Sequence, residues 1–212
     1  MDFIGINVSF SITMNRKPYS SAIKKTPFKY SIAQKIAKLM LNGLDRNDIY
    51  RRCYDENAIE IASPARRREI INVIYERLCV LDEYLLSQFC HGDVDTSKFI
   101  LVYAIAKTDV LFFDFLCEVY REALLGDRHY LSIDDFDHFF AVKKQNDQIV
   151  AKWGTFTLAC LTKGYRNILV DSGMGSRKRK TIVVERMMIH PAVEEHIDSI
   201  GDREYLQAML GR

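Results

Sequence analysis

Several kinds of residue and motif are scarce in this 212-residue sequence, and each scarcity removes a class of protein. There are five cysteines, Cys53, Cys79, Cys90, Cys117 and Cys160. They are odd in number and form no CxxC pair, so they read as reduced thiols of a cytoplasmic protein rather than a disulfide framework. No stretch reaches the roughly 18 apolar residues of a membrane helix. The best candidate, 99–116, is broken by Lys107, Asp109 and Asp114. No basic leader precedes the first apolar residues, so no secretory signal is expected. With 4 Pro, 10 Gly, 48% hydrophobic and 27% charged residues, the chain is neither disordered nor fibrous but long enough to bury a real core.

Catalytic signatures are also missing. The sequence has no Walker loop, no nucleotide-binding GxGxxG and no HExxH, and the GMG at 173–175 precedes a basic loop rather than a helix. Asp134, Asp135, Asp137 and His138 cluster as a metal site would, but acidic residues in a first helical turn are the pattern the helix dipole favours anyway. His190 and His196 flank Glu194 and Glu195 without a zinc spacing. Cys90 and His91 are neighbours in sequence, which does not create a thiolate–imidazole geometry. The expectation is a protein that is not an enzyme, with no cofactor, no metal and no small-molecule substrate.

The distribution of charge is more informative than its sum. Net charge is +2, yet residues 1–30 carry five basic groups against Asp2 alone, and residues 91–147 carry six basic against eleven acidic. Residues 148–212 return to an excess of base, with ten against seven. Two basic ends flanking an acidic middle can hide a face suited to a polyanion.

The segment 63–89 is expected to be one long helix. Ser63 can cap it and Pro64 suits the first helical position. Ile70, Ile74, Leu78, Leu81, Leu85 and Phe89 then make a single apolar stripe. Arg66, Arg67 and Arg68 crowd its first turns, where the macrodipole disfavours cations. Two readings stand: a solvated charge run offset by Glu69, or guanidinium forks at a helix start holding phosphate.

Upstream, residues 3–13 alternate as a half-buried strand, and the other strand-like run is 181–189, so these two are expected to pair. The basic segment 17–30, with Lys24, Lys25 and Lys29 among Tyr19, Phe28 and Tyr30, suits nucleic acid or a plain connection equally. Ser31 should cap a helix ending at Asn42-Gly43, and Asp45 or Asn47 a short one through Tyr54 carrying Arg51 and Arg52. With the helix at 63, this gives a helix-turn-helix-like outline.

The break at 90–96 is the best domain boundary, dividing an N-terminal helical part (1–92) from a C-terminal one (93–212). Further helices are expected at 97–107 and at 109–125, the second capped by Thr108. A capping box of Ser132 with Asp135 should start another through Val142, and 147–172 should be helical with a break at Gly164. The loop 173–180, containing Arg177, Lys178, Arg179 and Lys180, should be flexible and wing-like before the 181–189 strand, with short helices at 191–199 and 202–210 closing the chain.

In order along the chain, Asn57, Ser63-Pro64-Ala65-Arg66-Arg67-Arg68, Glu76-Arg77-Leu78, Lys98 to Ala106, Asp114-Phe115, Lys152-Trp153, Thr157-Leu158, Ile189-His190-Pro191 and Glu204-Tyr205-Leu206 resemble the BrxA family, the small accessory proteins of BREX bacteriophage-defence systems. The resemblance covers residues 30–210 and leaves 1–15 unmatched. It implies a mainly α protein with similarity to NusB-like and helix-turn-helix modules, working beside a methyltransferase, an ATPase and other BREX components, and it carries no catalytic residues. Joined to the charge pattern, it leads us to expect a mainly α fold of two packed helical parts with a minor β element, binding double-stranded DNA through its phosphates with little sequence specificity. Arg51, Arg52 and Arg66–Arg68 would form one contact surface, and Arg177–Lys180 another. An RNA-binding module and a protein adaptor are the rivals.

Overall fold

In the computed structural model the structure describes residues 17–212. The strand expected at 3–13 lies outside them. The described chain is mainly α-helical, with one small three-stranded sheet.

A short 3-10 turn (Ala22–Lys24) leads to α1 (Tyr30–Leu41), which turns Ala33, Ile36 and Ala37 inward. α1 starts one residue before Ser31, after Lys29 in a left-handed conformation, so Ser31 is not its cap. Gly43, at φ 76°, turns the chain into α2 (Arg46–Tyr50), which Asp45 caps by accepting from the Asp48 N–H at 2.8 Å. α2 continues as a wider π turn over Arg51–Asp55.

The helix expected over 63–89 is two helices. Ser63 accepts from the Arg66 N–H and Pro64 opens α3 (Pro64–Leu78), as expected. The chain then leaves the helix, and Asp82 accepts from the Leu85 N–H at 2.8 Å to start α4 (Glu83–His91). Every residue of the stripe from Ile70 to Phe89 is nonetheless buried. The three- and four-residue spacing survives a break between helices that pack on the same core, so periodicity did not reveal it.

The most enclosed helix is α5 (Val94–Thr108), capped by Asp93, in which every residue from Phe99 to Ala106 is buried. A helix apolar on all sides is a core helix. α3, α4 and α10 (Thr155–Ser172) pack against it. Asp109, not Thr108, caps the next helix, α6 (Val110–Phe115), which runs through a π turn (Leu116–Tyr120) into α7 (Arg121–Leu125) and ends at Gly126. The Ser132–Asp135 capping box opens α8 (Ile133–Asn146). α9 (Gln148–Ala151) is separated from α10 at 152–154, whereas Gly164 sits unbroken inside α10. α11 (Pro191–Ser199) and α12 (Arg203–Leu210) close the chain. Buried residues from Ile23 to Leu210 form one contiguous cluster across the 92/93 position.

The segment expected as a flexible loop at 173–180 is largely a strand. β2 (Gly175–Lys178) and β3 (Thr181–Val184) form an antiparallel hairpin, turning at Arg179-Lys180 with Arg179 at φ 57°. β1 (Tyr130–Leu131) pairs with the other edge of β3, so the order is β1-β3-β2 and both edges of β3 are taken over Thr181–Val184. The expected pairing of 181–189 with 3–13 lies outside the described residues; among them, Thr181–Val184 pairs with β1 and β2.

Candidate nucleic-acid interface

The arginines at the start of α3 have different occupations. Arg66 pairs with Glu69 at 3.0 Å and also donates to the Lys25 carbonyl. Lys25 reaches the same Glu69 at 3.2 Å. Arg67 turns inward over the loop before α3, donating to the carbonyls of Tyr54, Ile61 and Ala62, with its guanidinium 5.7 Å from the Tyr54 ring centre. Its donors hold that loop on the helix. Arg68 is exposed, lies 5.3 Å from the same ring centre and donates to the Tyr50 and Tyr54 hydroxyls, which favour its charged form. Arg51 pairs with Asp48 at 2.8 Å, and Arg52 is exposed. Glu69 and Asp48 thus pair with Arg66, Lys25 and Arg51, while Arg68 and Arg52 stay exposed.

The hairpin cluster is different. Tyr120 holds the base of the β2–β3 hairpin, its hydroxyl within 3.2 Å of the Met174 carbonyl and 3.1 Å of the Glu185 carbonyl. Gly175 is required at that base, since a Cβ there would lie 2.8 Å from the Val183 carbonyl. Arg177 donates to the side-chain oxygen of Asn167 on α10 at 2.6 Å. Arg166 of α10 donates to the Lys180 carbonyl at 2.9 Å. Both guanidinium groups are fixed by neutral acceptors, and neither has a carboxylate partner among the described residues. Burial, followed by the nearby Arg177 charge, lowers the Arg166 pKa from its ordinary value. Lys178, Arg179 and Lys180 are exposed around the turn.

Arg166 and its neighbour Lys163 were not singled out from the sequence. The signal was Lys163-Gly164-Tyr165-Arg166-Asn167, in which a buried Gly and Tyr define the inner face of α10 and leave Lys163 outward. The same segment connects the two basic regions. Gly164 packs on Ile23 of the 3-10 turn, whose neighbours are Lys24 and Lys25. Contacts therefore run from Arg66 to the Lys25 carbonyl, from Ile23 to Gly164, and from Asn167, about 4.5 Å further along α10, to Arg177. Lys29 lies exposed at the start of α1 on the same connecting segment.

Several of the other candidates have structural occupations. Asp135 accepts from Ser132 and pairs with Arg128 at 2.6 Å. His196 meets Asp82 at 2.6 Å and packs on the Tyr84 ring at 4.4 Å between centres, tilted by 43°, tying α11 to the start of α4. Glu194 pairs with Arg212. Burial pushes the Cys90 thiol up, opposite to what activates a nucleophile, with the Lys38 charge opposing. Among the described residues no group of three or more His, Cys, Asp or Glu is placed to hold a metal ion, and no helix is long and apolar enough to cross a membrane.

The BrxA family profile matches residues 17–201. The BREX protein BrxA of Bacillus cereus (strain H3081.97) is 33% identical over 193 residues, which is 91% of this chain and 96% of that protein. The crystal structure of an uncharacterized protein from Magnetospirillum magneticum resembles this fold with a TM-score of 0.80, over 92% of this chain and 99% of that one, at 19% identity. That likeness is one of fold alone.

Proposed function

The chain belongs to the BrxA family, and from that premise we propose that this BREX accessory protein binds double-stranded DNA by its phosphates, using the basic side chains of the hairpin and α10 together with those of the 3-10 turn. The observation that carries this reading is the pair Arg166 and Arg177, both anchored by neutral acceptors and both without a described carboxylate partner. Cations held in place and left uncompensated suit a polyanion, because its phosphates replace released counterions without breaking existing ion pairs. Lys24, Lys25 and Lys163 would add to these, and Lys178, Arg179 and Lys180 would extend the contacts around the exposed turn of the three-stranded sheet. A basic turn of this kind can lie along the phosphate backbone. Arg51, Arg52 and Arg68 would add peripheral contacts, while Arg67 would support the surface from behind. Phosphate contacts carry no base code, so low sequence specificity follows.

The test is a salt series with a labelled random duplex, comparing the intact protein, an Arg66/Arg68→Ala variant and an Arg166/Arg177→Ala variant. A log–log slope of about −0.9 per neutralised phosphate is expected, shallower by about two such steps in the Arg166/Arg177 variant and less affected in the other. Competition with structured RNA of equal length decides which nucleic acid is preferred. Absence of binding to either at low salt overturns the reading in favour of a protein adaptor, for which Phe156, 81% exposed on α10, would be the first residue to examine.

A further inference from the structure

Between α8, α10 and the hairpin lies a cleft of about 380 Å³. Its cationic side is formed by Lys163, Arg166 and Arg177, and its apolar floor by Ile133, Ala159 and the methyl-bearing Thr162. Asp137 stands on the rim contributed by α8. The volume falls within the range of small-ligand sites, roughly 300–1,000 Å³. A phosphate on the outside of an intact duplex needs only the cations, since its bases are stacked away from the protein. An apolar floor beside those cations suits a sugar or base that accompanies the phosphate into the cleft.

We propose that this cleft receives one unpaired nucleotide of the bound DNA. Its phosphate would lie on Arg166 and Arg177, its sugar and base against Ile133, Ala159 and Thr162, and its exocyclic amine or ring N–H within reach of the Asp137 carboxylate oxygens, which accept. The two arginines are already oriented, so little side-chain freedom is lost when the phosphate arrives. Lys163, exposed on the outer face of α10, holds the next phosphate along the strand. DNA with a gap, a flap or an overhang is therefore preferred over a blunt duplex. This rests on the DNA-binding reading above and adds a preference that reading does not require.

The experiment compares binding of the full-length protein to a blunt duplex and to the same duplex carrying a gap of three unpaired nucleotides, for the intact protein and for Ala159→Trp, Asp137→Asn and Arg166/Arg177→Ala. The intact protein is expected to bind the gapped duplex about tenfold more tightly, a difference of about 1.4 kcal/mol. Ala159→Trp, which fills the cleft without changing charge, should abolish that preference and leave blunt-duplex binding intact. Asp137→Asn should reduce the preference in a base-dependent way, and the double arginine variant should weaken both complexes. Nuclear magnetic resonance titration with a deoxydinucleotide should in parallel shift the Ala159 and Thr162 methyl signals. Equal affinity for the two DNAs, with ordinary salt-dependent binding, overturns the cleft proposal alone. No binding to either DNA and no shift with the dinucleotide overturns both this proposal and the DNA-binding reading.

Discussion

A Cβ placed on Gly164 would lie 3.0 Å from Cγ2 of Ile23 and 3.3 Å from the Ile23 carbonyl oxygen. α10 therefore meets the Ala22–Lys24 turn with no side chain of its own at the contact, leaving room for Ile23. Gly164 costs helix stability, about 1 kcal/mol relative to alanine, and the close approach is what it provides in return. Through that contact the basic turn is held against the helix that carries Lys163 and Arg166.

Gly164→Ala should be close to neutral, because the gain in helix propensity opposes a shift of a few tenths of an ångström at Ile23. Gly164→Leu has no such balance. Overpacking typically costs about 1–3 kcal/mol, and the larger side chain must push the turn away from α10. Urea unfolding should show a lowered midpoint for the leucine variant alone. Duplex affinity should fall with it in conditions where the variant is still folded, since Lys24 and Lys25 leave the line of α10.

The same residue shows what could and could not be read from the sequence. Local chemistry was legible. Ser63-Pro64, the Ser132–Asp135 box, Gly43 and Gly126 mark element ends at or near where they occur, because caps and turns depend on a few adjacent residues. The apolar stripe from Ile70 to Phe89 identified the core correctly but not the break within it, since two helices facing one core keep one periodicity. The role of Gly164 was not legible, because a glycine that breaks a helix and one that admits a neighbouring backbone look alike without the neighbour. The hairpin was missed for a related reason. Gly175–Lys178 is nearly all polar and exposed, so nothing in its own pattern announces a strand. It is one because β3 lies beside it. Of the candidate interface, Arg177–Lys180 was visible as a charge run. The division of Arg66, Arg67 and Arg68 among carboxylate, carbonyl and hydroxyl partners needed the fold.

Arg67→Ala and Arg66→Ala should therefore part company. Removing Arg67 leaves the Tyr54, Ile61 and Ala62 carbonyls without their donor and frees the loop before α3, at a cost of about 1–3 kcal/mol. Arg66 contributes a partly exposed pair with Glu69 and one carbonyl contact, and its loss should cost about 1 kcal/mol or less. Hydrogen exchange of the 56–62 amides should accelerate in the Arg67 variant and stay near its original rate in the other.

Arg77 tests the interior. It is buried and donates to the Thr26 carbonyl at 2.7 Å and the Pro27 carbonyl at 2.8 Å, fastening the segment before α1 to α3. Burial lowers its pKa to about 10, with the Asp109 charge opposing. Arg77→Met removes two donors and the positive charge facing Asp109, a loss expected to cost about 3–5 kcal/mol. The variant should be strongly destabilised in urea, with the Lys24–Lys25 turn the first region to lose exchange protection.

The last prediction concerns Asp109, which caps α6 through the Phe112 N–H at 3.0 Å and receives the Ser20 hydroxyl at 3.5 Å. Burial pushes its pKa up to about 6 from an ordinary 3.8, against the lowering effects of the Phe112 N–H and the Arg77 charge. A carboxyl whose folded pKa is raised binds its proton more tightly in the folded state, so its contribution to stability is fully present below pH 4 and is lost as pH rises through 6. Asp82, Asp93 and Asp135 act in the opposite direction, since each is held below its usual value and loses stability as pH falls. The intact protein alone therefore shows only their sum. Asp109→Asn keeps an acceptor for Phe112 while removing the titration, so the difference in unfolding free energy between the two proteins isolates Asp109. That difference should move against the intact protein between about pH 4 and pH 6 and become level above pH 7. A flat difference, or one of opposite sign, would mean that the Arg77 charge and the Phe112 N–H outweigh burial at this site.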